Sequence, residues 1–243
     1  MTRQTRRRAL VVAASALAGV TSPVWGPRVL RSIPAFSVRH VEVVGARFVD
    51  ADQARTLASL EGVASVWDDP SSWEERVRAH PLIVNARIRR RGFNGLVLEL
   101  QEVRPVAFVP VPALSPLDGD GRLLAIDPAK HALDLPILAG ASVREGRVAD
   151  EPSRRALAIL EELNELDPAF VGRVSELRAS EEAVYLHLLS GSLAELVVLP
   201  LGDATVAFLR VESAMRECRD RGDIVSADAR FRGQVVIGLR EDA

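Results

Sequence analysis

The first third of the chain carries apolar positions at two different spacings. Residues 36–44 alternate between apolar and polar side chains and end at Gly45, a pattern that predicts a β-strand. Asp50 then precedes a stretch whose apolar residues recur at helical spacing, and Gln53 stands three residues after it. This spacing is typical of a helix that begins at a capping aspartate, and Gly62 predicts its end.

A second helix and two strands are predicted next. Residues 71–80 place two large apolar side chains one helical turn apart, and the helix must end before Pro81. Residues 84–90 and 96–101 each alternate, as expected for strands with one buried face. The apolar members of these faces are Val84, Ala86, Ile88, Leu96, Leu98 and Leu100.

The alternation also predicts how these two strands pair. A five-residue loop between them sets Ile88 opposite Leu98 and Arg87 opposite Glu99, so apolar residues face each other and opposite charges meet. The order strand, helix, helix, strand, strand predicts a small α+β unit with its helices on one face of the sheet.

The remainder of the chain predicts a second, larger and mainly antiparallel β domain with two helices. Four prolines between residues 105 and 116 mark the boundary. Helices are predicted at 153–166 and, from a cap at Asp203, up to Gly222. The predicted strands lie at 106–109, 114–117, 123–126, 171–177, 184–189, 193–199 and 227–239.

The last predicted strand alternates over its whole length. The positions expected to face the core are Ala229, Phe231, Gly233, Val235, Ile237 and Leu239, and those expected to face outward are Arg230, Arg232, Gln234 and Val236. The last strand of a chain commonly lies at a sheet edge, where free backbone N–H and C=O groups accept another strand. We therefore expect a partner strand to bind along residues 230–238. An interior strand with no free edge is the alternative.

The N-terminus is basic and then apolar. Arginines occupy four of the first eight positions, and the 19 residues 9–27 carry no charge. At about 1.5 Å per residue, this run just reaches the roughly 30 Å of a bilayer's hydrocarbon layer, and the arginines would hold the N-terminus in the cytoplasm. The triplet Ala16-Leu17-Ala18 also fits cleavage of a signal peptide. Under both interpretations, the chain from about residue 30 lies outside the cytoplasm.

Composition and motifs argue against several function classes. Asp+Glu (33) outnumber Lys+Arg (31), although four arginines lie in the tail, so the body of the chain is acidic and unsuited to nucleic-acid phosphates. The single lysine, Lys130, does not follow a glycine-rich loop, which excludes a P-loop. The four histidines lack metal-ligand spacing, and no serine stands in a nucleophile motif. We expect no enzymatic activity, no metal and no cofactor.

Several residues resemble the pattern of a known family. The residues Pro81, Ala86, Ile88, Arg90, Leu96, Glu102, Pro105 and Ala107 stand at spacings similar to those of the POTRA domain of the FtsQ/DivIB family of bacterial cell-division proteins. Residues 135–140 and 228–231 resemble two further motifs of that family. Phe93 and Leu82 depart from the family pattern.

The resemblance implies a bitopic protein of the cell inner membrane at the division septum, with its N-terminus in the cytoplasm. The implied parts are a cytoplasmic tail (1–8), a transmembrane signal anchor (9–27), a linker (28–35), a POTRA domain (36–104) and a C-terminal β domain (105–243). The implied role is a non-enzymatic scaffold that binds FtsB- and FtsL-like proteins and helps control septal peptidoglycan synthesis, with further partners at the POTRA domain. The expected partner-binding residues are Arg230, Phe231, Arg232, Gly233, Gln234, Val235 and Val236.

Two alternatives belong to other classes. A POTRA module of an outer-membrane translocation or assembly system is expected to carry a transmembrane β-barrel downstream, and this sequence leaves no room for one. A secreted hydrolase needs a nucleophile or a metal site, and the sequence offers no motif for either.

Overall fold

The computed structural model describes residues 29–59, 65–111, 113–189, 191, 194–218, 220 and 222–240. The chain divides after Val103 into two compact units. The predicted tail and anchor, residues 1–27, lie outside the described residues. Within the described part of the chain, no helix is both long and apolar enough to cross a bilayer.

The first unit has the predicted order of elements. It contains a 3-10 turn (Pro34–Phe36), β1 (His40–Val44), α1 (Ala51–Ala58), α2 (Ser71–Arg78), β2 (Ile83–Arg91) and β3 (Gly95–Glu102). The strands form one sheet in the order β1-β3-β2. β1 runs parallel to β3, whereas β2 runs antiparallel to it. The expected β-α-α-β-β unit is therefore confirmed.

The predicted pairing of β2 with β3 is also confirmed. Ile88 lies opposite Leu98 and Arg87 lies opposite Glu99. Leu98 is fully buried, and α2 buries Trp73 against the same core. Because side chains alternate across a sheet, a slip of one residue would expose Leu98, so this burial fixes the register.

Two details of the first unit differ from the prediction. β1 begins at His40 rather than at Phe36, because Pro34 starts a 3-10 turn that occupies the predicted beginning of the strand. Val84 is 58% exposed instead of buried, since the register of β2 shifts at that point and turns its side chain to solvent.

The helix α1 begins at the predicted cap. The side chain of Asp50 accepts hydrogen bonds from the amides of Asp52 at 2.7 Å and Gln53 at 3.3 Å, which satisfies donors that have no partner inside the helix. The helix ends at Ser59, which adopts a left-handed conformation with φ of +52°. The predicted stop, Gly62, lies outside the described residues.

The second unit is built on one large sheet. Its strands are β4 (Ala107–Val109), β5 (Ser115–Leu117), β6 (Ile137–Ala139), β9 (Val174–Ala179), β10 (Ala183–Leu188), β11 (Leu196–Pro200), β12 (Ile224–Asp228) and β13 (Val236–Leu239), with β7 (Val143–Arg144) and β8 (Arg147–Val148) in a separate hairpin. Its helices are α3 (Glu151–Leu166), α4 (Pro168–Val171) and α5 (Ala204–Cys218). The sheet order is β13-β12-β11-β10-β9-β6-β4-β5.

This sheet is mixed, whereas the sequence predicted a mainly antiparallel one. The strand pairs β4–β6, β6–β9 and β11–β12 are parallel. The helix α5 connects β11 to β12, and a helical crossover brings the chain back in the same direction, so these neighbours must be parallel.

Two predicted strands of this unit are also corrected. The segment 171–177 begins as the end of α4, because Asp167 caps that turn by accepting a hydrogen bond from the Phe170 amide at 2.9 Å, and β9 starts only at Val174. The segment 123–126 forms an isolated bridge to Leu117 rather than a regular strand.

The core of the second unit lies between the helices and one face of the sheet. Cross-strand neighbours on this face are fully buried; they are Leu177, Leu186, Val197 and Ala227. The rings of Phe170 and Phe208, from α4 and α5, lie 4.7 Å apart above this row. The side chains of Ser226 and Asp228, which flank Ala227 on β12, therefore face away from the core.

Candidate partner-binding site

The predicted last strand is in fact a hairpin. β12 and β13 pair antiparallel, and residues 229–235 connect them. Gly233 adopts a φ of +71° in the connection, a conformation that favours glycine. The prediction of one strand over residues 227–239 is therefore wrong. Such a strand would have been about twice the usual length of five or six residues.

Most of the predicted partner-binding residues lie in this connection rather than on a strand. Residues 230–235 form the loop, and Val236 is the first residue of β13. Phe231 is 50% exposed, so it does not anchor a strand in the core as expected. Ala229 is buried, and its amide donates a hydrogen bond to the Val198 carbonyl at 2.9 Å. The loop thus leaves the sheet directly after Ala229.

The guanidinium of Arg230 forms an ion pair within the hairpin. Its Nη2 atom lies 2.6 Å from Oδ2 of Asp228, and its amide also donates to that carboxylate at 3.0 Å. This hydrogen bond from Arg230 holds the pKa of Asp228 below its ordinary value, although burial alone would raise it. The loop arginine that makes no ion pair with any described residue is Arg232.

β13 lies at one edge of the large sheet, as expected for the last strand. In the described part of the chain, β12 is its one neighbour. The amide of Arg240 donates to the carbonyl of Asp223 at 2.9 Å. Because amides alternate in direction along an antiparallel strand, those of Ile237 and Leu239 point away from β12. These two amides mark a free edge.

Side chains beside this edge form a row on the face opposite the core. Val236 lies next to Asp228, which lies next to Val198, followed by Tyr185. Val236 is 51% exposed. A strand added to β13 would therefore place alternate side chains beside Val236 on this face.

Two arginines of β2, Arg89 and Arg90, make contacts within the first unit. Nε of Arg89 lies 3.2 Å from Oε2 of Glu99, so the ion pair forms with the diagonal neighbour of Glu99 rather than with Arg87 directly opposite. The guanidinium of Arg90 lies 4.3 Å from the ring centre of Trp67. These contacts favour a solvated strand face over a phosphate site.

The acidic turn at residues 118–121 does not gather metal ligands. Its backbone closes through a hydrogen bond from the Gly121 amide to the Asp118 carbonyl at 3.0 Å. Burial, followed by the charges of Asp118 and Asp120, raises the pKa of Glu161 nearby. Among the described residues, no group of three or more His, Cys, Asp or Glu side chains is placed to hold a metal ion.

Two family models match the two units. A model described as "POTRA domain, FtsQ-type" matches residues 36–102. A model described as "Cell division protein FtsQ/DivIB, C-terminal" matches residues 107–230.

Curated relatives agree with these matches in name. The chain is 30% identical over 234 residues to the cell division protein FtsQ of Myxococcus fulvus, covering 90% of this chain and 81% of the relative. It is 28% identical over 166 residues to the cell division protein DivIB of Geobacillus kaustophilus, covering 65% and 60%. A structure of the major extracytoplasmic domain of DivIB from Geobacillus stearothermophilus aligns with a TM-score of 0.32 at 23% identity, covering 50% of this chain and 97% of that one.

Proposed function

The chain belongs to the FtsQ/DivIB family of bacterial cell-division proteins, and from this premise we propose that it is a non-enzymatic, bitopic scaffold of the division machinery. Residues 1–8 lie in the cytoplasm, residues 9–27 anchor the chain in the inner membrane at the septum, and the rest is extracytoplasmic. The scaffold binds FtsB- and FtsL-like membrane-anchored proteins and thereby helps control septal peptidoglycan synthesis. A role in outer-membrane translocation is not favoured, because the match over residues 107–230 is to the FtsQ/DivIB C-terminal model.

The observation that carries this proposal is the free edge of β13. The partner segment adds a strand there and pairs its backbone with the outward amides of Ile237 and Leu239. The proposed site therefore lies on β13, closer to the end of the chain than the predicted residues 230–236. Val236 belongs to both sites and is exposed, whereas Arg230 is held by its ion pair with Asp228.

A pair of proline variants tests this binding mode. Leu239→Pro removes an outward amide, which β12 does not use, and proline is tolerated on edge strands. We expect it to abolish capture of an FtsB-like protein from membranes while leaving the melting temperature almost unchanged. Val236→Pro removes an amide that alternation directs toward β12, so we expect it to lower the melting temperature.

The two variants separate binding from folding. Full capture of the partner by a folded Leu239→Pro variant would refute strand addition at β13. A Leu239→Pro variant that melts as early as Val236→Pro would show that the amide of Leu239 is already paired within the protein.

The proposed anchor has its own test. We expect the chain isolated from cells to resist extraction by alkaline carbonate and to keep its arginine-rich N-terminus. If sequencing of the isolated protein instead begins near Gly19, the segment is a cleaved signal peptide and the chain is a secreted protein.

A further inference from the structure

We propose that the tip of the β2–β3 hairpin rests on the membrane surface and binds anionic phospholipid headgroups. The contact surface, called the tip patch, consists of Val29, Ile33, Phe36, Arg39 and Phe93. This inference rests on the proposed anchor and adds a second membrane contact to it, within the first unit.

The tip patch is apolar where a soluble hairpin turn is usually polar. Phe93 stands in the turn between β2 and β3 and is 77% exposed. Val29 and Ile33, in the segment that leads into β1, are 52% and 37% exposed. Transfer of aromatic and aliphatic side chains of this kind from water into the boundary between headgroups and acyl chains is favourable.

A ring contact joins the hairpin turn to the segment that leads into β1. The ring centres of Phe36 and Phe93 are 6.3 Å apart. Phe36 also contacts Trp67 edge to face, at 6.0 Å. Phe36 lies three residues after Ile33, and its amide donates a hydrogen bond to the Ile33 carbonyl at 3.0 Å. The hairpin tip and the incoming chain therefore present their apolar side chains together.

A free cation lies beside this apolar surface. The amide of Arg39 donates to the carbonyl of Asn94 at 2.9 Å, which places Arg39 next to the hairpin tip. Its guanidinium makes no ion pair with any described residue, unlike Arg89 and Arg91 on β2, which pair with Glu99 and Glu42. An unpaired guanidinium next to apolar side chains is the combination that a phosphate headgroup recognises.

The tip patch lies close in sequence to the proposed anchor, and this position identifies the bilayer as the surface that the patch contacts. The uncharged run ends at Pro27, two residues before Val29. The segment up to Phe36 contains helical and 3-10 turns, which rise only about 1.5–2 Å per residue. Phe36 lies nine residues after residue 27, and nine residues at this rise extend about 14–18 Å, so a span that ends at residue 27 holds Phe36 within roughly 20 Å of the bilayer surface.

The experiment places a fluorophore at the tip of the full chain in vesicles. In a Cys218→Ser background, Phe93→Cys is labelled with an environment-sensitive probe, and Val84→Cys serves as the matched control. Val84 is also exposed on the same hairpin but lies at the opposite end of β2. We expect a blue shift and quenching by lipid-borne nitroxides at position 93, in vesicles that contain phosphatidylglycerol, and neither effect at position 84.

Charge variants test the headgroup contact. Arg39→Gln should reduce quenching at position 93 in vesicles that contain phosphatidylglycerol but not in neutral phosphatidylcholine vesicles. Arg89→Gln, which removes a paired arginine of the same unit, should leave the quenching unchanged.

The outcomes distinguish this proposal from the anchor. A chain that carbonate removes from the vesicles overturns the anchor and the tip contact with it. A retained chain with no quenching at position 93, or with equal quenching at both positions, overturns the tip contact alone. A blue shift without lipid quenching would assign the tip patch to a protein neighbour, such as a second copy, and would also overturn it.

Discussion

The carboxylate of Glu102, at the end of β3, accepts a hydrogen bond from the amide of Phe48 at 2.7 Å. The amides of Arg47 and Val49 donate to the same carboxylate at 3.1 and 2.9 Å. Three consecutive amides of the loop between β1 and α1 are therefore held by one side chain. Because this loop leads into the α1 cap at Asp50, Glu102 fixes where that helix begins.

We predict that Glu102→Gln destabilises the first unit by about 1.5–3 kcal/mol, the range for hydrogen bonds to a charged group. An amide offers one neutral oxygen in place of two charged ones, so at least one loop amide loses its acceptor and the others donate to a weaker one. Urea unfolding followed by the fluorescence of Trp67 and Trp73, both in this unit, measures the change. Glu99→Gln is the control, since it removes only an exposed ion pair worth about 0.5 kcal/mol; equal losses in the two variants would contradict the role of Glu102.

A second prediction concerns the independence and register of the first unit. Residues 36–104, expressed alone, should melt cooperatively. Leu98→Asp should unfold this fragment, because it buries a carboxylate without a partner at a cost of about 3 kcal/mol or more. Arg89→Ser, on the exposed face, should lower the melting temperature only slightly. Comparable decreases in the melting temperature of the two variants would refute the assignment of Leu98 to the buried face and Arg89 to the exposed face.

How much the sequence predicts depends on the length of each alternating run. In the first unit, the runs around Ile88 and Leu98 are bounded by turn residues, and their register follows from matching apolar faces. In the second unit, apolar and polar residues continue to alternate through the turn that contains Gly233. The alternation therefore predicted one long strand where the structure has a hairpin. The glycine in mid-run and the excessive length were the signals that pointed to a turn.

Other features depend on contacts that no local pattern contains. The parallel pairing of β11 with β12 follows from the crossover through α5. The side-chain spacing of a strand is the same in parallel and antiparallel sheets, so alternation alone does not reveal it.

A third prediction concerns the hairpin of the candidate site. Asp228→Asn should lower the melting temperature at neutral pH, because it removes the charge that Arg230 pairs with. The folded pKa of Asp228 is depressed, so its stabilisation is present above the unfolded pKa of about 3.9 and is lost as the pH falls through the folded pKa. The difference in melting temperature between wild type and Asp228→Asn should therefore become smaller under acidic conditions. A difference that stays constant from neutral to acidic pH would mean that the ion pair contributes nothing.

The contribution of Glu161 to stability should change with pH in the direction opposite to that of Asp228. Burial and the charges of Asp118 and Asp120 raise its pKa in the folded protein. An acid whose folded pKa is raised destabilises the fold where it is ionised, and this cost disappears as the pH falls below its unfolded pKa of about 4.3.

We therefore predict that Glu161→Gln raises the melting temperature at neutral pH, and that the two proteins melt alike in acid. Glu162→Gln is the matched control on the same helix, because Oε2 of Glu162 accepts a hydrogen bond from the Thr205 hydroxyl at 2.7 Å and its replacement should not stabilise the protein. Thermal melts of both variants across this pH range measure the effect. If Glu161→Gln lowers the melting temperature at neutral pH, the carboxylate makes a favourable contact that outweighs the repulsion from Asp118 and Asp120.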